Sequence, residues 1–298
     1  MSPSTPIVTL GEGSTPLLRA DRLSERFGVE VWLKWEGANP TGSFKDRGMA
    51  VAVAKAVEDG APGIVCASTG NTAASAAAYA ARAGVEAVIV HAAAGPTGAK
   101  LAQARATGAR LIEVQGSFDD AFTGAEQLAD REGYVVVNST NPNRLEGQKT
   151  AAFEIVEELG EAPDLLALPY GGGGNTTAYA KGFLEAGHGT PQLLPVEAEH
   201  RAATIASAIR IPTPVHRDQV EQALARCGGS VVSVTDTEIL AGWRLLAREE
   251  GLFCEPAAAA SIAGLGRGAA GNGTQVVCVL TGHGLKDPDA LDLPLEQS

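Results

Sequence analysis

The feature that most constrains the fold of this chain is a regular alternation of short apolar runs with longer, often Ala-rich segments of helical character. Strands that are apolar on both sides occur in parallel sheets with helices on both faces, and each intervening helix provides the crossover that a parallel pair needs. The pattern therefore predicts an α/β fold with doubly wound parallel sheets. The predicted strands are VWLKWE, GIVCA, EAVIV, RLIEV, YVVVN, LLALP, QLLPV and QVVCVL.

The length of the chain predicts two domains. Its 298 residues exceed the size at which a single hydrophobic core usually stops growing. We predict a larger domain formed by residues 1–34 together with 146–298, and a smaller one formed by residues 35–145. The segment PTPVHRD near Thr213 is a candidate loop or hinge, and the tail after Asp287 is expected to be a surface extension.

The charge of the chain bears on its partners. A formal net charge of -12, without any cluster of Lys and Arg, opposes binding to nucleic acid or to anionic lipid. The Ala-rich stretch from Ala73 to Ala94 is long enough to span a membrane, but three charged or polar residues and Gly84 interrupt it. We therefore expect a small-molecule partner, with no nucleic acid and no membrane.

The cysteines and the N-terminus bear on the cellular location. The four cysteines are widely spaced, without a CxxC pair, and two of them lie inside apolar runs. This predicts buried reduced thiols and no metal site. The first residues, MSPSTPIVTLGEGSTP, have neither the basic flank nor the apolar segment of a signal peptide. A cytoplasmic protein is expected.

Four loops that follow predicted strands carry unusual residues. Ligands of open parallel sheets collect at the carboxyl ends of the strands, where loops lead into helix N-termini. These loops are therefore expected to form one site. They are GANPTGSFKDRG, STGNTAAS, GGGGNTTA and TGHGLKD.

The loop Gly171–Asn175 suits a phosphate. It lies between an apolar strand and a helix, where backbone N–H groups and the helix dipole attract an anion. It is neither a Walker A loop nor a GxGxxG sequence, because Thr176 occupies the last position of the latter. The alternative is a tight turn that uses glycine for positive φ, although four consecutive glycines are more than a turn needs.

Lys45, in SFKDR, is placed where an amphipathic helix is expected to begin, after Pro40 and a cap at Thr41 or Ser43. The helix dipole disfavours a cation there and favours the neutral amine that a nucleophilic lysine requires. The alternative is a surface lysine paired with Asp46.

Taken together, the motifs of this chain resemble threonine synthase over nearly its whole length. SxKxR is shared with serine and threonine dehydratases and with cysteine synthase, whereas TGHGLKD and EGQKTAAFEI resemble the threonine synthase branch. The motifs are GEGSTPL, EGANPTGSFKDRG, ASTGNT, NPNRLEGQKTAAFEI, the glycine loop ending in Asn175, REEGLFCEP and TGHGLKDPD.

The resemblance implies an enzyme of fold type II in the tryptophan synthase beta-like superfamily, with pyridoxal 5′-phosphate (PLP) in the cleft between two domains. It implies that Lys45 holds PLP as a Schiff base, that Asn71 contacts its 3′ oxygen, and that the hydroxyl of Thr281 contacts the pyridine nitrogen. A hydroxyl at this nitrogen suits elimination and replacement better than transamination. The cofactor phosphate is assigned to Gly171, Gly172, Gly173, Gly174 and Asn175.

The family converts O-phosphohomoserine and water into threonine and phosphate, and its members commonly form dimers. The resemblance assigns the departing phosphate to Ser139 and Arg144, with a pairing of Arg144 to Glu146 as the alternative. The substrate α-carboxylate is assigned to the helix N-terminus at Ser68, Thr69 and Thr72, with a simple helix cap as the alternative. Lys100 and His283 lie in suggestive loops but receive no assigned role.

Several positions depart from the family pattern. The family's loop usually reads GNAGN, so Gly172 replaces an Asn that helps to hold the substrate phosphate. The segment Val196–Ala203 is shorter than usual, and HAAAGPTGAK replaces a run around I-P-E-G. The alternative function is therefore a related PLP enzyme that performs β- or γ-elimination or replacement on another amino acid.

Two further classes of protein fit parts of the pattern. An NAD-dependent dehydrogenase would share the βα repeat, but the chain lacks both GxGxxG and the acidic residue expected about 20 residues later. A regulator that has lost activity would keep the fold, yet it has no physical need of Lys45, Asn71 and Thr281 together. Both predict no covalently bound PLP.

Overall fold

The computed structural model describes residues 2–93, 98–268, 270–271 and 273–287. The tail after Asp287 and residues Ala94–Thr97 of the HAAAGPTGAK run lie outside the described residues. The described part of the chain contains ten strands: β1 (Leu17–Arg19), β2 (Glu30–Trp35), β3 (Gly63–Ala67), β4 (Glu86–Ala92), β5 (Arg110–Val114), β6 (Val135–Val136), β7 (Leu165–Pro169), β8 (Gln192–Ala198), β9 (Val232–Val234) and β10 (Gln275–Leu280).

The helices of the described residues alternate with these strands through most of the chain, and short 3₁₀ turns lie at Glu36–Ala38, Ser207–Ile209 and Gly284–Lys286. The helices are α1 (Asp21–Phe27), α2 (Lys45–Glu58), α3 (Asn71–Ala83), α4 (Ala99–Ala106), α5 (Phe118–Glu132), α6 (Asn143–Gln148), α7 (Thr150–Leu159), α8 (Gly174–Ala186), α9 (Arg217–Cys227), α10 (Asp236–Glu249) and α11 (Pro256–Leu265).

The strands form two sheets. The larger has the order β1-β2-β10-β7-β8-β9 and the smaller the order β5-β4-β3-β6. All neighbouring strands are parallel except β1, which pairs antiparallel with β2 at the edge of the larger sheet. The predicted α/β fold with parallel sheets is confirmed. The predicted domain boundaries, after residues 34 and 145, stay predictions.

Apolar side chains cover both faces of each sheet, as a doubly wound fold requires. One face of the larger sheet packs against α10 and α11, and the other against α7 and α8. The smaller sheet packs against α2, α3 and α4 on one face and against α5 on the other. Helix α11 is buried along its entire length, because it lies between the sheet and α10.

The four cysteines are unpaired in the structure, and the Ala-rich stretch is divided between α3 and β4. All four cysteines are free thiols, and three of them are buried. Burial raises the pKa of Cys66 and of Cys278 to about 12, which makes these thiols poor nucleophiles at neutral pH. Among the described residues, no helix has both the length and the apolar character needed to cross a membrane. Nor does any group of His, Cys, Asp and Glu there have the geometry of a metal site.

Candidate active site

The fold places the unusual loops at the carboxyl ends of the strands. Lys45 is the first residue of α2, Asn71 is the first residue of α3, and α8 begins at Gly174. Thr281 directly follows β10, the central neighbour of both β2 and β7. Lys45, Thr281 and the glycine loop follow β2, β10 and β7, whose carboxyl ends share one edge of the larger sheet, whereas Asn71 follows β3 of the smaller sheet.

The backbone next to Lys45 is hydrogen-bonded to the residues that follow β10. The N–H of Phe44 donates to the carbonyl of Thr281 at 3.1 Å, and Ser43 forms an isolated β-bridge with Gly282. These backbone contacts therefore fix the position of Lys45, which would hold the cofactor, relative to Thr281, which would contact its ring nitrogen.

The prediction that Thr41 or Ser43 caps α2 is wrong. Neither Thr41 nor Ser43 caps the helix; Phe44 occupies the cap position with helical dihedral angles. Instead, both the N–H and the hydroxyl of Thr41 donate to the carboxylate of Asp46, at 2.7 and 2.6 Å. The carboxylate lies in the first turn, where the helix dipole favours a negative charge. Asp46 is thus fully used, since Ser75 also donates to it, and it does not pair with Lys45.

The electrostatic surroundings of Lys45 favour its neutral amine. Burial of the amine, assisted by the positive charge of Arg144, lowers the pKa of Lys45 to about 7, against an opposite effect of Glu255. Its Nζ lies 4.4 Å from the centroid of the Phe44 ring. Near neutral pH a large fraction of this amine is unprotonated and able to attack a carbonyl.

Arg144 is a buried guanidinium that is only partly satisfied. It is 1% exposed, and its Nη1 donates to the carbonyl of Val137 at 3.2 Å. Its Nε and Nη2 have no hydrogen-bond partner among the described residues. The alternative pairing with Glu146 is wrong, because that carboxylate binds Lys149 and Lys181 instead. Burial lowers the pKa of Arg144 to about 10, against opposite effects of Cys66 and Asp46, so the group stays charged, and it forms no ion pair with a carboxylate among the described residues.

Close packing of two helices brings Arg144 toward Lys45. Helix α6 crosses α2 at Gly48 and Gly147, where a Cβ at Gly147 would lie 1.9 Å from the carbonyl oxygen of Arg47. Only glycine permits this approach. The first turns of both helices therefore meet. Lys45 and Arg144 are close enough for the charge of Arg144 to lower the pKa of Lys45.

Asn71 is bound to a residue that we did not predict from the sequence. Its Nδ2 lies 3.0 and 3.1 Å from the two carboxylate oxygens of Glu255, which is 1% exposed. The Oδ1 of Asn71 has no partner among the described residues. The Nζ of Lys100, which received no role from the sequence, lies 3.3 Å from Glu255 Oε2.

The glycine loop offers buried polar groups that fit a phosphate. Gly173 adopts φ of +90°, and α8 starts immediately after it with its free N–H groups. Asn175 Nδ2 and Thr176 Oγ1 are buried and lack partners among the described residues. Orphaned donors at a helix N-terminus are what an anionic group would satisfy. The residues therefore fit the phosphate of PLP.

The residues predicted to bind the substrate lie in two separate places. Ser68, Thr69 and Thr72 surround the start of α3 and are partly exposed. The cap of α3 is Gly70, without a side-chain bond, so the helix-cap alternative is wrong. The hydroxyl of Ser68 accepts from the N–H of Gly70 at 3.0 Å, which shapes the turn.

Ser139 lies beside the glycine loop, joined to it by His216. The Nε2 of His216 donates to the carbonyl of Ser139 at 2.8 Å, and the backbone N–H of His216 donates to the carbonyl of Gly172 at 2.9 Å. The segment PTPVHRD, predicted as a loop, therefore ties two proposed anion sites together.

Three residues of the site received no role from the sequence: Glu255, His216 and Thr176. Glu255 stands in the quoted motif REEGLFCEP, and its position before Pro256 marks a helix start, which is the signal that could have drawn attention to it. His216 gives no such signal, because its partners Ser139 and Gly172 lie 77 and 44 positions away in the chain.

Comparisons with known proteins find relatives along nearly the whole chain. Residues 8–282 match the family described as "Pyridoxal-phosphate dependent enzyme". The chain is 51% identical over 308 residues to a threonine synthase of Halalkalibacterium halodurans, covering 96% of this chain and 86% of the relative. It is 46% identical over 314 residues to a threonine synthase of Methanocaldococcus jannaschii, covering 95% and 78%. Both alignments are longer than the chain's 298 residues, so they contain positions without a counterpart here.

Solved structures share the fold at lower identity. Maize serine racemase superposes with a TM-score of 0.83 at 20% identity, covering 93% of this chain and 90% of that one. The processed form of threonine deaminase isoform 2 from Solanum lycopersicum gives a TM-score of 0.81 at 24% identity, covering 93% and 81%. These likenesses establish the fold.

Proposed function

The chain belongs to the threonine synthase family of pyridoxal-phosphate-dependent enzymes, and on that premise we propose that it converts O-phospho-L-homoserine and water into L-threonine and phosphate. The observation that carries the choice of substrate is the buried guanidinium of Arg144, whose Nε and Nη2 lack partners among the described residues. Phosphate oxygens accept the paired hydrogen bonds that the planar guanidinium offers.

When bound, pyridoxal phosphate would supply an electron sink that stabilises negative charge on the neighbouring substrate carbons. We propose that Lys45 binds it covalently, that Gly171–Asn175 hold its phosphate, and that Asn71 and Thr281 contact its ring. The unpaired Asn175 Nδ2 and Thr176 Oγ1 support the phosphate position. The burial of Thr281, which is 4% exposed, supports a dry contact with the ring nitrogen.

Lys45 is proposed to move the protons. We propose that its amine, whose pKa is lowered to about 7, removes a proton from Cα and then one from Cβ as the phosphate leaves from Cγ, and that it returns protons to Cγ and to Cα. Arg144 and Ser139 bind the departing phosphate, and the start of α3 at Ser68, Thr69 and Thr72 binds the α-carboxylate. Water then adds at Cβ, and threonine and phosphate leave.

We also propose the finer assignments of location and assembly. The protein is cytoplasmic, as the absence of paired cysteines among the described thiols supports. It forms a homodimer, as family members commonly do. The two domains carry the sheets separately, with the cofactor in the cleft between them.

The products test the proposed function. Purified protein saturated with PLP should form threonine and inorganic phosphate in a 1:1 ratio from O-phospho-L-homoserine. In ¹⁸O-labelled water, the label should appear in threonine and not in phosphate, because water attacks Cβ. Formation of a keto acid without threonine would contradict the proposal.

A second candidate function is elimination or replacement on another activated amino acid. Gly172 favours it, because this position offers no side chain to the substrate phosphate. Relatives of the chain also contain positions that it lacks. This candidate retains Lys45 and the cofactor site and differs only in the leaving group.

Replacing Gly172 by Asn should improve the use of a phosphorylated substrate. A Cβ at this position would meet only Ile211 Cδ1, at 3.6 Å, so the side chain is accommodated. One hydrogen bond to a charged group corresponds to about a tenfold or greater gain in kcat/KM for O-phosphohomoserine. The control is O-acetylhomoserine, whose kcat/KM should not change; equal gains for both substrates would contradict a contact to phosphate.

Replacing Thr281 by Asp should change the partitioning of products. A carboxylate beside the ring nitrogen stabilises its protonated form and strengthens the electron sink, which favours transamination over replacement. Chromatography of the products should show more keto acid relative to threonine, whereas Thr281→Ser should keep the wild-type ratio. An unchanged ratio in a folded, PLP-loaded Thr281→Asp variant would remove the assignment of Thr281 to the ring.

A further inference from the structure

We propose that Glu255 is a positioning residue: its carboxylate holds the side-chain amide of Asn71 in the orientation that presents an N–H to the 3′ oxygen of the cofactor. The inference rests on the proposed function, because it concerns the same cofactor site. It adds a residue to that site which neither contacts the ring in the assignments above nor takes part in proton transfer.

The direction of the contact follows from hydrogen-bond chemistry. An ionised carboxylate only accepts, so the atom that Asn71 turns toward Glu255 must be Nδ2, at 3.0 and 3.1 Å from the two oxygens. The opposite orientation would face the negative carboxylate with the carbonyl oxygen of the amide. The repulsion excludes it, and Glu255 therefore sets the rotation of the amide.

In this orientation the second hydrogen of Asn71 Nδ2 can bind the 3′ oxygen of the cofactor. An amide nitrogen carries two hydrogens, and the bifurcated contact with Glu255 uses one of them. The other remains for an acceptor such as the 3′ oxygen, which carries negative charge when it is deprotonated. A rotated amide would present Oδ1 to that oxygen and favour its protonation instead.

The surroundings of Glu255 hold the carboxylate firmly. Its backbone N–H donates to the carbonyl of Gly282 at 3.0 Å, and it is the cap residue of α11. A Cβ on Gly282 would lie 2.4 Å from Glu255 Oε1, so glycine leaves the room that the carboxylate occupies. Lys100 Nζ supplies a counter-charge at 3.3 Å. The pocket is therefore shaped around a carboxylate that bridges β10, α3 and α4.

A double-mutant cycle on cofactor binding tests the inference. The dissociation constant for PLP is measured by absorbance titration of the apo forms of wild type, Glu255→Gln, Asn71→Ala and the double variant. Glutamine keeps the shape but can donate to Asn71 Oδ1 and release the amide from its orientation. We expect Glu255→Gln to weaken binding about tenfold in the wild-type background and less than twofold in the Asn71→Ala background.

The absorption spectrum gives a second readout. Glu255→Gln should increase the share of the shorter-wavelength form that is protonated at the 3′ oxygen, whereas Asn71→Ala and the double variant should have matching spectra. If the glutamine variant does not fold, Glu255→Asp replaces it, because a shorter carboxylate also loses contact with Nδ2. Fully additive effects on the dissociation constant would overturn the role of Glu255. Failure of wild type to bind PLP at all would instead overturn the proposed function.

Discussion

The Lys45→Ala variant is expected to lose turnover by more than about a thousandfold while keeping its fold. The amine is the proposed covalent anchor and proton carrier, and general acid–base catalysis alone contributes about 10²–10⁴. Removing this amine leaves the neighbouring Asp46 with its partners, since Thr41 and Ser75 both donate to that carboxylate. Steady-state assays and thermal unfolding measure the two effects separately.

A second lysine of the same helix provides the control. Lys55 in α2 is paired with Glu58 and partly exposed, so Lys55→Ala should retain wild-type turnover and change the stability little. Borohydride reduction followed by peptide mass spectrometry should find the cofactor on Lys45 in wild type and in Lys55→Ala. Trapping on another lysine, or unimpaired turnover by Lys45→Ala, would contradict the assignment.

The Arg144→Ala variant is expected to lose at least about a hundredfold in kcat/KM for O-phosphohomoserine. Nε and Nη2 are both available to bind the phosphate, and each charged hydrogen bond is worth about 1.5–3 kcal/mol. Arg144→Lys should recover only part of the loss, because lysine cannot reproduce the planar fork. Kinetics with O-phosphohomoserine and with O-acetylhomoserine measure the effect.

The same variant separates the phosphate contact from a structural role. The guanidinium has one hydrogen bond among the described residues, to Val137, and its buried charge forms no ion pair there. Arg144→Met, which fills most of the volume, should therefore leave the unfolding temperature of the apo protein unchanged or raise it. An equal loss of kcat/KM for both substrates would show that Arg144 does not recognise phosphate.

Much of the fold could be predicted because parallel strands are marked by continuous apolar runs. GIVCA, RLIEV, LLALP and QVVCVL coincide with β3, β5, β7 and β10 at both ends. The three-residue strand β1 could not be predicted, since it pairs antiparallel at an edge and is half exposed. Helix α11 shows no amphipathic period because it is buried on every side.

The site could be predicted where a local pattern carries the chemistry. Lys45 and the glycine loop stand at strand-to-helix junctions, and the structure places them there. The contacts that complete the site join residues far apart in the chain, such as Asn71 and Glu255. The predicted cap of α2 was wrong for a related reason. The hydroxyl of Thr41 donates to the carboxylate of Asp46 and therefore does not accept a hydrogen bond from the start of the helix.

The preferred substrate is the central test of the proposed function. We would measure kcat/KM of the PLP-loaded protein for O-phosphohomoserine, O-acetylhomoserine, O-acetylserine, serine and threonine under identical conditions. We expect O-phosphohomoserine to have the highest value and this preference to disappear in Arg144→Ala. A preference for a substrate without phosphate, unaffected by Arg144→Ala, would contradict the proposed function.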